Sequence, residues 1–313
     1  MARRSKKRHR KSRRPKLTTF RVSLGIIIAA AVVLALLHFG VLGDPFGLAP
    51  YKEPAAPDAD TSVRFIDVGQ GDCTLAVSQG VSLLIDSGEL DEHDRVITYL
   101  KALGIERLDY VIVTHPHSDH MGEMSDIIDC FGAGEFIMPR LPEELTPTTY
   151  TYEKLLKSLA AKDISITASE DRTFTAGAFT VELFTPDEYD SNLNNCSTVV
   201  KLTHGENSFL ITGDCEREEE QRLILKGCDL RADVLKVGHH GSSTSSSAEF
   251  LAAVRPIYAV ISCSADNSYG HPADSTLVRL KAMARQVLIT YKNGTVTFAS
   301  DGKGLSIYTD KEE

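Results

Sequence analysis

The sequence predicts an α/β (α+β) protein in which two β-sheets are covered by helices, preceded by one N-terminal transmembrane helix. Three observations carry that expectation. After residue 61, short runs rich in β-branched and aromatic residues alternate with helical stretches in both halves of the chain. No Pro-rich or low-complexity linker interrupts residues 62–313, which therefore read as one unit. Ahead of them stands a long apolar run behind a cluster of cations.

Residues 1–16 hold ten of the 34 Lys and Arg and no acid. Residues 22–42 are apolar except for Ser23 and His38, long enough as a helix to cross a hydrocarbon core. The run ends without an Ala-x-Ala site, so an uncleaved signal anchor is expected in preference to a cleaved signal peptide. Cations on the N-terminal flank hold that side in the cytoplasm. The expected order is a basic cytoplasmic head at 1–21, a signal anchor in the lipid bilayer at 22–42, a Pro-rich linker at 43–61 and an extracellular domain at 62–313. The other 24 cations face 43 acids, so the chain outside the basic cluster stands near −19. A unit that acidic exerts no general pull on nucleic acid, and a DNA substrate would have to be gripped locally or through metal ions.

The unit opens with strands at 63–68, 73–78 and 81–86, joined by Gly69-Gln70-Gly71-Asp72 and Gln79-Gly80 as a hairpin meander. A helical stretch at 94–103 stops at Gly104. Residues 108–114 read as a buried strand that delivers a histidine cluster from its C-terminal end. A helix at 124–131, a strand at 135–138 and a helix at 152–162 follow. Strands recur at 179–184, 198–203, 208–212, 234–237, 258–262 and 287–290, with helices at 216–226, 247–254 and 274–284. A hairpin of 296–300 with 305–308 ends the pattern.

The histidine cluster is His115-Pro116-His117-Ser118-Asp119-His120. On an extended loop His115 and His117 point the same way, because side chains two apart share a face. A turn into a helix then carries Asp119 and His120 to a different side. One segment thus feeds two neighbouring cation positions, and imidazole with carboxylate suits zinc or manganese. Asp119 can also accept a proton from an attacking water. His271, in Tyr269-Gly270-His271-Pro272, is either a catalytic donor to a phosphate oxygen or leaving group, or a turn residue. Ser242 opens a hydroxyl run, 242–247, that either offers donors to an anion or forms a flexible loop. Asp67 and Asp72, beside the first hairpin, are candidates for supporting the site.

His-x-His-x-Asp-His after a strand resembles the signature of the metallo-β-lactamase fold superfamily, which implies a four-layer αββα sandwich. Asp86, in Leu84-Ile85-Asp86-Ser87-Gly88, resembles the aspartate that orients a ligand histidine from behind. Asp214, in Ile211-Thr212-Gly213-Asp214, resembles the carboxylate shared by two metals. His239-His240-Gly241-Ser242 resembles the last ligand position; either histidine can fill it, and His240, next to the glycine, is preferred. Together with Phe65-Ile66-Asp67-Val68-Gly69-Gln70-Gly71-Asp72 and Tyr269-Gly270-His271-Pro272, these segments resemble the extracellular hydrolase domain of the ComEC competence-protein family over residues 62–308. The third histidine that most superfamily members place near Leu193-Asn194-Asn195-Cys196-Ser197 is absent here. Asn194, Asn195 or water would complete that shell, with Ser197 beside them and a Cys196 thiolate as a further alternative.

The resemblance implies two divalent ions, zinc or manganese, no nucleotide cofactor, and a membrane-anchored metal-dependent hydrolase acting outside the cell. A phosphodiesterase or nuclease, acting on DNA or a cell-wall polymer, is the leading expectation. One alternative is a hydrolase of a small ester, lactam or cell-wall phosphodiester such as phosphorylcholine. Another is a catalytically inactive binding protein on the same fold. Basic residues at the site would favour a nuclease, and Arg140, Lys201, Arg217 and Lys236 are the candidates.

Overall fold

A computed structural model describes residues 59–90, 94–189 and 191–311. The basic head, the signal anchor and most of the linker lie outside the described residues. Among those described, no helix is long and apolar enough to cross a membrane.

The meander consists of β1 (Thr61–Phe65), β2 (Thr74–Ser78) and β3 (Val81–Ile85), followed by α1 (Arg95–Ala102) and β4 (Leu108–Ile112). Two helices, α2 (Ser118–Met121) and α3 (Met124–Phe131), precede β5 (Ala133–Met138), α4 (Tyr150–Ala161) and β6 (Ile166–Ala168). The second half begins with β7 (Arg172–Ala176), β8 (Phe179–Phe184), β9 (Val199–His204) and β10 (Asn207–Ile211), an antiparallel series. It continues through α5 (Arg217–Lys226), β11 (Val234–Lys236), α6 (Ala248–Val254), β12 (Tyr258–Ile261), α7 (Asp274–Met283) and β13 (Gln286–Ile289). The short α8 (Thr290–Asn293) leads into the terminal hairpin, β14 (Val296–Ser300) and β15 (Leu305–Thr309).

These strands form an eight-stranded sheet, ordered β15-β14-β1-β2-β3-β4-β5-β6, and a seven-stranded sheet, ordered β13-β12-β11-β10-β9-β8-β7. Side-chain alternation explains why the sheets stack and why both are covered. In β3, Leu83 and Ile85 share a core with Phe209 and Ile211 of β10, so these faces pack sheet against sheet. Leu84 of β3 joins a separate core with Val96, Leu100, Ile127 and Leu155 from α1, α3 and α4. Leu210 of β10 joins a third with Leu223, Phe250 and Leu280 from α5, α6 and α7. Strands apolar on both faces must be covered on both, and the result is four layers, αββα.

Two elements depart from the sequence expectation. β6 and β7 read as loop, because both are short, lie at sheet edges and carry few buried residues. The short helix α8 was not expected either, and the other differences are shifts of one to three residues at element ends, as at β1, which begins at Thr61 and stops at Phe65.

Candidate metal centre

β3 pairs with β4 in parallel, and β10 pairs with β11 in parallel. The C-terminal ends of these strands therefore deliver their loops to one rim of the sandwich, where Asp86, the 115–120 segment, Asp214 and the 239–240 pair meet. Asp86 sits at φ +59 just past β3, and its carboxylate reaches sideways to the end of β4. Its Oδ1 accepts from the Thr114 N–H at 2.8 Å, and its Oδ2 accepts from the Thr114 hydroxyl at 2.7 Å. The same Oδ2 lies 2.8 Å from His120 Nδ1. That contact leaves His120 Nε2 facing the rim. His120 is placed there by α2, the helical turn that follows His117.

Two groups of donor atoms result, each with its members within 4.8 Å of one another. One contains His115, His117 and Asp214; the other contains Asp119, His120, Asp214 and His240. Asp214 belongs to both, 3.9 Å from His115 Nε2 through Oδ2 and 3.1 Å from His120 Nε2 through Oδ1. His240 Nε2 lies 3.1 Å from Asp119 Oδ2 and 3.5 Å from Asp214 Oδ1. His120 Nε2 and Asp214 Oδ1 are buried without a hydrogen-bond partner. Buried polar atoms are seldom left so, and a cation between these donors would satisfy both. The residues fit a pair of divalent ions. A third group, Asp72, Asp86 and His120, is already committed to holding the first two in place.

The Gly69-Gln70-Gly71-Asp72 loop buttresses this arrangement from the meander. Gly71 has φ +121, and a Cβ there would run into the Asp119 carbonyl oxygen. The Asp72 N–H donates to that carbonyl at 3.0 Å. Asp72 Oδ1 lies 3.3 Å from His240 Nδ1, which is also 2.9 Å from the Ser262 carbonyl. Lys236 of β11 is fully buried and pairs with Asp72, so it does not face substrate as a nuclease cation would.

His239 belongs to neither donor group, contrary to its inclusion among the candidate ligands. It and His240 sit in a turn with φ +48 and +51, not in a strand, so the two rings part company. His239 Nδ1 is 3.0 Å from Glu216 Oε1, and its Nε2 is 3.8 Å from Asp214 Oδ2. Glu216 is itself fixed by Asn192, Asn194 and the Thr244 hydroxyl. Nothing in the sequence marked it beyond its place two residues after Asp214.

The segment lacking the third histidine divides its work. Ser197 Oγ accepts from the Asp214 N–H at 3.1 Å and lies 3.3 Å from His115 Nδ1, so it orients both. Asn194 lines the cleft. Asn195 does not; it is buried, and its Oδ1 accepts from the Glu216 N–H at 3.1 Å. The Cys196 thiol donates to the Asn192 carbonyl and is in neither donor group. Ser242 bonds with the Thr244 hydroxyl, and Arg279 and Glu220 fix the backbone of 245–247. The serine run is thus an ordered turn bonded within the fold, not a flexible loop, and it is not part of the cleft lining. Asp67 also turns away, to Lys311 at 3.0 Å.

A cleft of about 290 Å³ opens over the donors, lined by Gln70, His117, Ser118, Asp119, Asn194, Asp214, His239, His240, Tyr269 and His271. Among the described residues lining it there is no Lys or Arg. Arg140 lines a different depression, and Lys201 is paired with Asp229. His271 stands in the cleft wall, its ring 5.5 Å from that of His239.

The carboxylates divide the imidazoles electrostatically. Burial lowers the proton affinity of His240, but Asp214, Asp72 and Asp119 outweigh it and push its pKa up to about 10. His120 moves well upward against the same burial, through Asp214 and Asp86. His115 and His117 move downward, chiefly by burial and with help from neighbouring imidazoles, against the opposing pull of Asp119 and Asp214. Burial alone would raise Asp214, yet His120, His240 and His115 hold it well below the usual carboxylate range.

Residues 66–265 match the family described as the metallo-beta-lactamase superfamily. ComE operon protein 3 of Bacillus subtilis (strain 168) is 30% identical over 264 residues, covering 77% of this chain and 33% of that protein. Competence protein ComA of Neisseria gonorrhoeae is 29% identical over 281 residues, covering 87% and 38%. The chain thus spans little more than a third of the length of these relatives. The solved structure of CmlA, a diiron β-hydroxylase from Streptomyces venezuelae, superposes with a TM-score of 0.54 at 16% identity, covering 85% of this chain and 59% of that one, a likeness of fold alone.

Proposed function

Because this chain belongs to the metallo-beta-lactamase superfamily, we propose that it is a binuclear metal-dependent hydrolase cleaving phosphodiesters, a phosphodiesterase or nuclease. The observation that carries the metal-dependent part is the buried, unbonded pair of His120 Nε2 and Asp214 Oδ1 between two converging donor groups. His115, His117 and Asp214 would hold one ion; Asp119, His120, Asp214 and His240 would hold the other. Zinc and manganese both suit these donors. When bound, two such ions lower the pKa of water and neutralise charge developing on a phosphoryl oxygen.

The chain's own residues supply the rest. Asp86 keeps the His120 ring turned so that Nε2 faces inward. Asp119 lines the cleft and can take a proton from the attacking water. His239, held through Nδ1 by Glu216, and His271 flank the cleft as donors to a phosphate oxygen or the departing alkoxide. The choice of phosphodiesters is supported by the similarity to competence proteins. We read residues 22–42 as anchoring this unit in the cell membrane, with the domain outside, from the apolar run and its cationic flank.

The absence of Lys and Arg among the described residues lining the cleft favours a second reading, hydrolysis of a small phosphodiester over a duplex gripped through its backbone. The test is turnover by the full chain, loaded with Zn²⁺ or Mn²⁺, of single-stranded DNA, bis-p-nitrophenyl phosphate and nitrocefin. Hydrolysis of the first two is expected. Turnover of nitrocefin alone would sink the phosphodiesterase reading, and no turnover with no bound metal would favour an inactive binding protein.

A further inference from the structure

One wall of the cleft is built of rings that lead outward from the donor groups. The His239 and His271 rings are 5.5 Å apart at 70°, and the His271 and Tyr269 rings are 5.8 Å apart at 18°. Tyr269 stands at the rim, 66% exposed, and is the one Phe, Tyr or Trp among the described residues lining the cleft. Its loop is fixed from within. Asn267 Nδ2 donates to the carbonyls of Ser264 at 2.7 Å and His271 at 2.6 Å, and its Oδ1 accepts from the His271 N–H at 2.9 Å. The ring thus rests one face on His271 and offers the rest to the cleft mouth.

The electrostatics around it limit what that ring can serve. Among the described residues no Lys or Arg lines the cleft, and the chain outside its basic head is strongly acidic, so apart from the metal positions no side-chain charge there holds the backbone of a polyanion. Base–aromatic stacking needs no charge and accepts any base, because every base has a π-face. A single ring also falls short of the several that enclose a quaternary ammonium group.

We propose that Tyr269 is a stacking platform for an unpaired nucleobase next to the scissile phosphate. The substrate class is then single-stranded nucleic acid or a nucleotide phosphodiester, not an alkyl or choline phosphodiester. Within a duplex, neighbouring pairs cover the base faces, so only an unpaired or terminal base can take this position. The inference rests on the phosphodiesterase reading above.

The experiment compares a single-stranded oligonucleotide with an abasic one of equal length and charge, using the Mn²⁺-loaded full chain and its Tyr269→Ala and Tyr269→Phe variants. The wild type is expected to prefer the base-bearing strand by roughly tenfold in kcat/KM, within the range that stacking supplies. Tyr269→Ala should erase most of that preference and Tyr269→Phe should keep it, which separates loss of the ring from loss of the hydroxyl. A preference unchanged in Tyr269→Ala, or none in the wild type, overturns the proposal. So does Tyr269-dependent turnover of p-nitrophenyl phosphorylcholine in its place. Inactivity of the metal-loaded wild type on both oligonucleotides and on bis-p-nitrophenyl phosphate removes the phosphodiesterase reading itself, and this inference with it.

Discussion

Lys236 and Asp72 come from different sheets and meet as a buried ion pair, Nζ 2.6 Å from Oδ2. Asp72 also faces His240 through its other oxygen, and its N–H holds the Asp119 carbonyl. One residue therefore ties together the two loops that carry Asp119 and His240.

Removing only the cation leaves a carboxylate buried without its partner. Lys236→Met should lose about 3–5 kcal/mol of stability, the usual penalty for breaking a buried pair. Lys236→Met combined with Asp72→Asn should recover much of it, because no charge is then stranded. Urea unfolding of the three proteins checks this. A single variant as stable as wild type would show that the pair contributes little.

Asp86 touches no cation position itself, yet it fixes the His120 ring at 2.8 Å. Asp86→Ala should weaken metal binding by roughly 10- to 100-fold, as loss of such a partner usually does. Competition with a chromogenic chelator measures the loss. Unchanged affinity would mean that Thr114 and the neighbouring rings orient His120 unaided.

The adjacent histidines should behave differently. His240→Ala is expected to lower bound metal from two equivalents to about one, since His240 closes the four-residue group. His239→Ala should keep both equivalents and lose turnover. Elemental analysis beside a rate assay separates the two outcomes, and metal lost from His239→Ala would return that residue to the ligand set.

The raised pKa values set the direction of pH dependence. A cation entering beside His120 and His240 must displace their protons, so its apparent affinity should rise with pH, about tenfold per unit for each proton displaced. Calorimetry in buffers of differing ionisation enthalpy should register proton release. In chelator-treated protein the sign for stability is opposite. Both histidines have folded-state values above the ordinary 6.5, so their contribution is full below that pH and lost as pH climbs, for His240 through about 10. Thermal melts of the chelator-treated protein should fall from pH 7 to pH 10; a flat profile would contradict the charged arrangement.

Much of this was legible in the sequence because the informative residues are close together in it. His115 to His120 announce themselves within six positions, and the consecutive apolar residues of 209–211 and 234–235 mark strands covered on both faces. The rest depended on long-range geometry. The His239–His240 pair resisted assignment because the chain leaves β11 into a left-handed turn, where strand alternation no longer applies. Lys236 looked like a free cation because its partner lies in the other half of the sequence. Asn195 and Ser242 looked available because the hydrogen bonds they accept from the Glu216 and Thr244 N–H groups leave no mark in composition. β6 and β7 escape notice because each is short and at an edge, and in β7 only Phe174 and Ala176 reach the core.

The terminal hairpin carries a consequence for how the molecule is made. β14 lies directly against β1, and β15 against β14, so the first sheet is finished by strands that follow all its others in the chain. Until they arrive, Val63 and Phe65 have no cover from Phe298, and the backbone of β1 presents an open edge. Pairing across nearly the whole unit is slow to form. A ribosome releasing this unit from its N-terminal side therefore holds a half-closed sandwich until the hairpin emerges, and a stop codon that removes the hairpin would leave a sticky, protease-sensitive product even though every cleft residue had been translated.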